Sequence, residues 1–245
     1  MTSDFKNKGI IIQARMGSTR LNAKIMLLVN GHPIFQSQIN RLRTIGCPLY
    51  IATTTQSADI AVVNFANNNN ISCFRGDENN VLKRYYDCAN EYNLDLIIRL
   101  TSDCPLIDAD LIKDGINQYQ DLSDRNIYFS NTLNRTYPRG FDFEIFSFQL
   151  LENAFHNAAD DFDKEHVTPY IWKNKNGNVN IRQLINASDT SKYRLTLDTP
   201  EDFKLLKILI EQYQADGLSG TEIIELMQSH PELAQINQHI EQKKN

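Results

Sequence analysis

The run Gly9-Ile-Ile-Ile-Gln-Ala-Arg15-Met-Gly17-Ser18-Thr19-Arg20-Leu-Asn-Ala-Lys24 changes character halfway along. Ile10 to Ile12 form an apolar run too short for a membrane and right for a buried parallel strand. The loop that follows holds one glycine, two hydroxyls and three cations between Arg15 and Lys24. A strand feeding such a loop reads as a phosphate cradle. Gly17 lets the backbone approach a phosphate, Ser18 and Thr19 offer donors, and Arg15, Arg20 and Lys24 supply charge. A nucleoside triphosphate carries about four negative charges, which three cations and a divalent metal would balance. The bland alternative is a solvated basic loop. A Walker loop and a dinucleotide fingerprint are both excluded, because neither Gly-Lys-Ser/Thr nor G-x-G-x-x-G occurs here.

The whole chain has 245 residues, which suits one large α/β domain or two small ones, and its 41% hydrophobic and 22% charged residues describe an ordinary soluble globular protein. A net charge of −5 argues against a general nucleic-acid binder. Cys47, Cys73, Cys88 and Cys104 show no metal-finger or C-x-x-C spacing and read as buried hydrophobes in a reducing compartment. The N-terminus carries no evident signal peptide and no segment has the apolar length of a membrane span, so cytoplasm is the expectation.

Beyond the first loop, Pro33 to Ile45 has helical periodicity, with Ile34, Ile39, Leu42 and Ile45 on the apolar face. Leu49 to Thr54 reads as a second buried strand, which completes a βαβ unit and ends in the hydroxyls Thr53 to Thr55. A helix from Ser57 to Asn67, a strand from Ile71 to Phe74 and a helix from Val81 to Tyr92 follow. The polar residues from Arg75 to Asn80 fall between strand end and helix start, where ligands gather in open parallel sheets. Arg75 reads equally as an ion-pair partner for Asp77 or Glu78. Asp95 to Asp103 is an apolar strand ending in an acid, and a carboxylate there suits Mg²⁺. Asp108 and Asp110 open a helix, which capping and the helix dipole already explain.

From about residue 126 to 185 the periodicity weakens, with short strands at Asn126 to Ser130 and Phe141 to Phe146. The apolar residues Phe141, Phe143, Ile145 and Phe148 suggest core or a subunit contact. Arg139 either pairs with a substrate carboxylate or is a solvated loop charge. Glu165 and His166 are adjacent, so they do not share one helical face, and a common metal is not expected. Val179 to Ile185 alternates as an edge strand. A further strand is expected to end at Asp198, after which Thr199 caps a helix with Pro200 at its first position.

Five stretches together resemble the cytidylyltransferases that activate acidic sugars. The first is similar to the I-x-Q-A-R-M-x-S-x-R-L-P-G-K motif of the spore coat polysaccharide biosynthesis protein F group. That group is related to the acylneuraminate and 3-deoxy-manno-octulosonate cytidylyltransferases. Here Asn22-Ala23 stands where Pro-Gly is usual, a departure that bears on the loop's rigidity. The others are Arg75 to Tyr85, Arg99 to Asp108, Asn131 to Asp142 together with Glu165 to Tyr170, and Leu197 to Asp202. The resemblance covers about residues 8 to 210. It implies a Rossmann-like nucleotidyltransferase fold with a mostly parallel sheet flanked by helices, and a 126–185 excursion for the acceptor and dimerisation.

It implies, too, transfer of CMP from CTP to an acidic sugar with release of pyrophosphate, for surface polysaccharide or glycan synthesis, by a homodimer. Arg15 and Lys24 would hold the triphosphate, with Mg²⁺ on Asp103 and Asp198. Substrate would lie against Ala14, Gly17, Ser18, Arg20, Thr53, Arg75, Arg84, Thr101, Asn131, Arg139, Asp142, Glu165 and His166. Two other readings fit parts of the pattern: a nucleotidyltransferase acting on a sugar phosphate or other alcohol, and a glycosyltransferase using a nucleotide-sugar.

Overall fold

The structure is a computed structural model that describes residues 5–18, 20–122 and 124–241. Thr19, an expected phosphate donor, lies outside the described residues, as do residues 1–4, 123 and 242–245.

The central strand is β1 (Lys8–Gln13), in which Ile10, Ile11 and Ile12 are fully buried. A strand covered on both faces is apolar throughout, which is why this run does not alternate. After β1 come a two-stranded ribbon, β2 (Leu28–Val29) and β3 (His32–Pro33), and helix α1 (Phe35–Arg43). The ribbon turns through Asn30 and Gly31, both at positive φ, as a tight hairpin requires. Then follow β4 (Leu49–Thr54), α2 (Ile60–Asn68), β5 (Ser72–Gly76), α3 (Val81–Glu91), β6 (Leu96–Thr101) and α4 (Ala109–Leu122). The excursion supplies β7 (Ile127–Ser130), β8 (Glu144–Ser147), α5 (Phe148–Asn157), α6 (Asp161–His166), α7 (Pro169–Trp172) and β9 (Asn180–Gln183). Helices α8 (Pro200–Tyr213), α9 (Gly220–Ser229) and α10 (Pro231–Gln235) close the chain.

The strands form one sheet in the order β5-β4-β1-β6-β8-β7-β9. The first four run parallel, whereas β8 is antiparallel to both β6 and β7. Strand order therefore reverses beside β1, and the crevice at the carboxyl ends of β1 and β6 is where such sheets bind ligands. Alternation along β1 serves two layers. Ile10 and Ile12 pack with α1, α2 and α4, and Ile11 packs with α3, α5 and α7. A third apolar cluster joins α8, α9 and α10 to Phe141, Leu195 and Leu197.

One expectation needs correction. No strand ends at Asp198; residues 193–198 make only a single bridge, between Arg139 and Arg194, and the chain bends at Asp198. The backbone of this segment bonds instead to loops, Leu195 N donating to Arg139 O and Leu197 N to Asp103 O. Gly140 permits that approach, at φ 108° and with room for no Cβ, which would lie 2.5 Å from Leu195 O. Of the residues expected in the core or at a subunit contact, Phe141, Phe143 and Ile145 are buried in the chain's own core and Phe148 is partly buried against it. The excursion leaves Leu133 and Ile185 exposed instead. No helix among the described residues is long and apolar enough to cross a membrane.

Candidate active site

The loop after β1 is tied down at its start. Buried Asp59 accepts Met16 N at 2.6 Å and bonds Thr54 through its other oxygen. At its far end Ala23, not Asn22, takes the left-handed conformation, with φ 50°. Ala23 is the residue that stands where the motif has glycine, so a Cβ is carried here at a position that disfavours one. Ser18 Oγ accepts Leu21 N at 3.5 Å, and a Cβ on Gly17 would meet nothing within 4 Å. That open room belongs to the cleft.

Lys24 leaves this loop as the hub of the site. Its ammonium lies 2.8 Å from Asp198 Oδ1 and 3.3 Å from Asp103 Oδ2. Thr101 Oγ1 donates to Asp103 Oδ1 at 2.5 Å. Asp198 Oδ2 is held by Arg20 and by Arg194, each at 3.1 Å. Arg194 grips Asp202 in fork fashion, at 2.8 and 2.9 Å, and Asp202 in turn accepts the backbone N–H groups of Asp198 and Thr199. Asn237, buried beyond α10, donates to Asp202 Oδ1 and Arg194 O. Two carboxylates far apart in sequence thus converge on one cation.

Burial alone would raise the Asp198 pKa and lower that of Lys24. The cations Lys24, Arg20 and Arg194 outweigh burial at Asp198, whose carboxyl is held below its ordinary range. Asp103 and Asp198 outweigh it at Lys24, whose ammonium is pushed up. Both groups are charged at neutral pH.

Two clefts meet at this point. The first, of about 690 Å³, is lined by the loop residues Ala14, Arg15, Gly17, Ser18, Arg20 and Lys24, with Arg84, Thr101 and Asp103 opposite. Arg15 is exposed in it, and no carboxylate pairs with Arg15 among the described residues. Arg84 is buried, donates to Asp77 O at 2.6 Å, and has no partner for its Nε among the described residues. The second cleft, of about 710 Å³, is lined by Arg99, Arg135, Arg139, Asp142, Glu144 and the residues of α6 and α7. Gln13, Thr101, Asp103, Glu165 and His166 line both. A third hollow, about 480 Å³ beside Asn126, Gln149 and Glu152, shares no residue with them.

The polar groups of the second cleft are mostly paired. Arg135 forms a bidentate pair with Asp142, and Arg99 pairs with Glu144 while donating to Gln13 at 3.1 Å. Glu144 also accepts from Tyr128 and Thr168, each at 2.5 Å. Arg139 has no ion pair among the described residues. Burial, and then the nearby Arg135, make its charged form harder to hold. His166 reaches the junction because Val167 turns the chain sharply. Val167 has φ 72° and ψ −55°, and Thr168 N donates to His166 O, a γ-turn that strains a β-branched residue. Burial pushes the His166 imidazole below its ordinary value, so it is neutral at pH 7.

Three expected substrate residues sit apart from both linings. Thr53 is fully buried in β4 and its hydroxyl has no partner among the described residues. Arg75 donates to the carbonyls of Thr54 and Gln56 rather than pairing with Asp77 or Glu78. Asn131 is buried and ties Phe141 O to Phe143 N. Conversely Asp59, Arg99, Glu144, Arg194 and Asn237 emerge only from three-dimensional contacts; Arg99 alone stood inside a recognisable motif.

The carboxylate pair also fits a divalent cation. Asp103 and Asp198 offer hard oxygen donors already gathered around one positive charge, that of Lys24. Mg²⁺ takes one or two carboxylates and completes its shell with phosphate and water. No group of three or more His, Cys, Asp or Glu assembles among the described residues, so such an ion would draw on that mixed shell.

Residues 9–230 match the family model described as cytidylyltransferase. The chain is 30% identical to the spore coat polysaccharide biosynthesis protein SpsF of Bacillus subtilis, over 91% of this chain and 95% of that protein. A cytidylyltransferase from Leptospira borgpetersenii serovar Hardjo-bovis superposes with a TM-score of 0.89 at 36% identity, covering 96% of this chain and 99% of the other. CMP:2-keto-3-deoxy-manno-octonic acid synthetase, solved with CTP, shares the fold with a TM-score of 0.63 at 18% identity, covering 85% of this chain and 100% of the other.

Proposed function

The chain belongs to the cytidylyltransferase family and is a CTP-dependent nucleotidyltransferase; from that premise we propose that it transfers CMP to the anomeric hydroxyl of an acidic sugar. The observation that carries the acceptor's class is Arg139. Its half-buried guanidinium faces a cleft that Asp103 also lines, and no acid of the chain pairs with it among the described residues. A partly desolvated cation of this kind is stabilised by an anionic ligand, and a guanidinium matches a carboxylate in bidentate geometry.

On this reading CTP occupies the first cleft. Arg15, Arg20 and Lys24 hold its phosphates and stabilise the charge that develops on departing pyrophosphate. The acceptor occupies the second cleft with its carboxylate on Arg139. Its hydroxyl attacks the α-phosphorus as the bond to the β-phosphate oxygen breaks. The proton passes to neutral His166, which lines both clefts. Asp103 and Asp198 orient Lys24, and they are the residues that would hold Mg²⁺. When bound there, the ion supplies Lewis-acid polarisation of the phosphate.

Pyrophosphate release with each of the four nucleoside triphosphates and a panel of sugar acids tests the proposal. CTP with an acidic sugar is expected to support turnover. Arg139→Ala should raise the KM for the sugar at least 10-fold and leave that for CTP nearly unchanged. A neutral sugar or a sugar phosphate used as well as the acid, or unchanged sugar kinetics in the variant, contradicts it.

A further inference from the structure

We propose that Gln13 is a catalytic residue of the transfer, its side-chain Nε2 donating to a non-bridging oxygen of the α-phosphate from a position that Arg99 fixes. The inference rests on CTP and acceptor occupying the two clefts as proposed above, so that the α-phosphorus lies where the clefts meet.

Gln13 is the last residue of β1, just before the loop that carries Arg15, Arg20 and Lys24, and it lines both clefts. A glutamine amide accepts at one end and donates at the other. Arg99 decides which end is free. A guanidinium only donates, so the Gln13 atom that Arg99 Nη2 meets at 3.1 Å is the carbonyl oxygen, Oε1. Arg99 is itself held firmly. Its side chain is 13% exposed, its Nη1 pairs with Glu144, and its guanidinium lies 5.5 Å from the centroid of the Tyr85 ring. Glu144 in turn accepts from Tyr128 and Thr168. With Oε1 taken, Nε2 remains as a donor, and it has no hydrogen-bond partner among the described residues.

The other side chains that line both clefts are unsuited to this contact. Asp103 and Glu165 are acids and repel a phosphate oxygen. Thr101 gives its hydroxyl proton to Asp103 at 2.5 Å. His166 receives the acceptor's proton. As the acceptor oxygen bonds to the α-phosphorus, the electron pair of the breaking bond leaves with pyrophosphate. The non-bridging oxygens stay negative throughout, near two acids. A neutral donor set in place beforehand stabilises that charge without reorganisation.

Two variants separate the donor from the support of Arg99. Gln13→Glu keeps an oxygen for Arg99 and removes the donor; Gln13→Met keeps the length and removes both. With melting temperature showing each variant folded, both should lower kcat about 10-fold or more and leave the KM values for CTP and sugar nearly unchanged. CTP carrying sulfur in place of one or the other non-bridging α-oxygen gives the readout that a structural role would not move, because sulfur is a weak acceptor. Gln13→Met, or Gln13→Glu should the first variant fail to fold, should slow one of the two diastereomers only about 2-fold, since side chain and oxygen belong to one contact. Near-parental kcat in Gln13→Glu, or equal losses with CTP and both diastereomers, overturns this inference and leaves the acidic-sugar reading intact. A parent chain that turns over no sugar acid overturns both.

Discussion

The Lys24 ammonium lies 2.8 Å from Asp198 Oδ1, although 174 residues separate the two in the chain. The contact closes the site, because the segment carrying Asp198 is not a strand of the sheet and is placed by its bonds to Asp103 O, Arg139 and Lys24. Three cations converge on Asp198, and its side chain is only 11% exposed. Removing the carboxylate strands that positive charge in a partly desolvated place. Asp198→Asn should therefore cost about 3 kcal/mol of stability, the scale of a broken buried ion pair.

The cost should depend on pH in a defined way. Asp198 titrates below its ordinary 3.8, so its contribution is full above that value and is lost as pH falls through the lower folded-state pKa. Lys24 titrates above its ordinary 10.5, so its contribution is full below that value and is lost as pH rises through the higher folded-state pKa. The stability difference between the parent chain and Asp198→Asn should then be flat from roughly pH 5 to 9. Below that window it should shrink, as the parent's carboxylate becomes protonated. Urea unfolding at a series of pH values measures it; a difference that grows on acidification contradicts the assignment.

Turnover offers an independent test of the same pair. Asp103 and Asp198 act through one shared cation, so their effects should not add. Asp103→Asn and Asp198→Asn are each expected to lower kcat by about 100-fold or more, and the double variant should be little worse than the worse single one. Multiplicative losses would separate the two acids into independent roles.

Ala23 provides a change in the opposite direction. It holds φ 50°, where an L-residue with a Cβ is strained by roughly 1 kcal/mol. Ala23→Gly should raise stability by up to about 1 kcal/mol, after allowance for the greater freedom glycine has in the unfolded chain. A melting temperature lowered by this substitution would show that the loop relaxes elsewhere. Activity is expected to be retained, since Ala23 N still donates to Met16 O.

How much of this was legible depended on the range of the interactions. The β1 strand, its loop, and Asp103 after β6 stand out because apolar runs ending in charge are local patterns, and they reappear as the crevice beside β1. The segment before Asp198 was misread as a strand because Leu195 and Leu197, alternating with Arg194 and Thr196, look the same whether their partners are strands or loops. Asparagine tolerates a left-handed backbone better than alanine, yet the register of the loop places that conformation on Ala23 rather than Asn22. Arg75 and Asn131 lie in recognisable motifs and Thr53 at the end of a predicted strand, yet their side chains serve the interior of the sheet and loop carbonyls. Asp59, Glu144 and Asn237 carried no local signal; each is defined by a partner reached through the fold.

The transfer itself is tested most directly by following the α-phosphorus. With CTP labelled at that position and an acidic sugar as acceptor, the label should appear in a sugar-linked CMP, and the unlabelled β- and γ-phosphates should leave together as pyrophosphate. Label recovered as free CMP or CDP whether or not the sugar is present, or phosphate from the γ-position found on the sugar, would contradict the account.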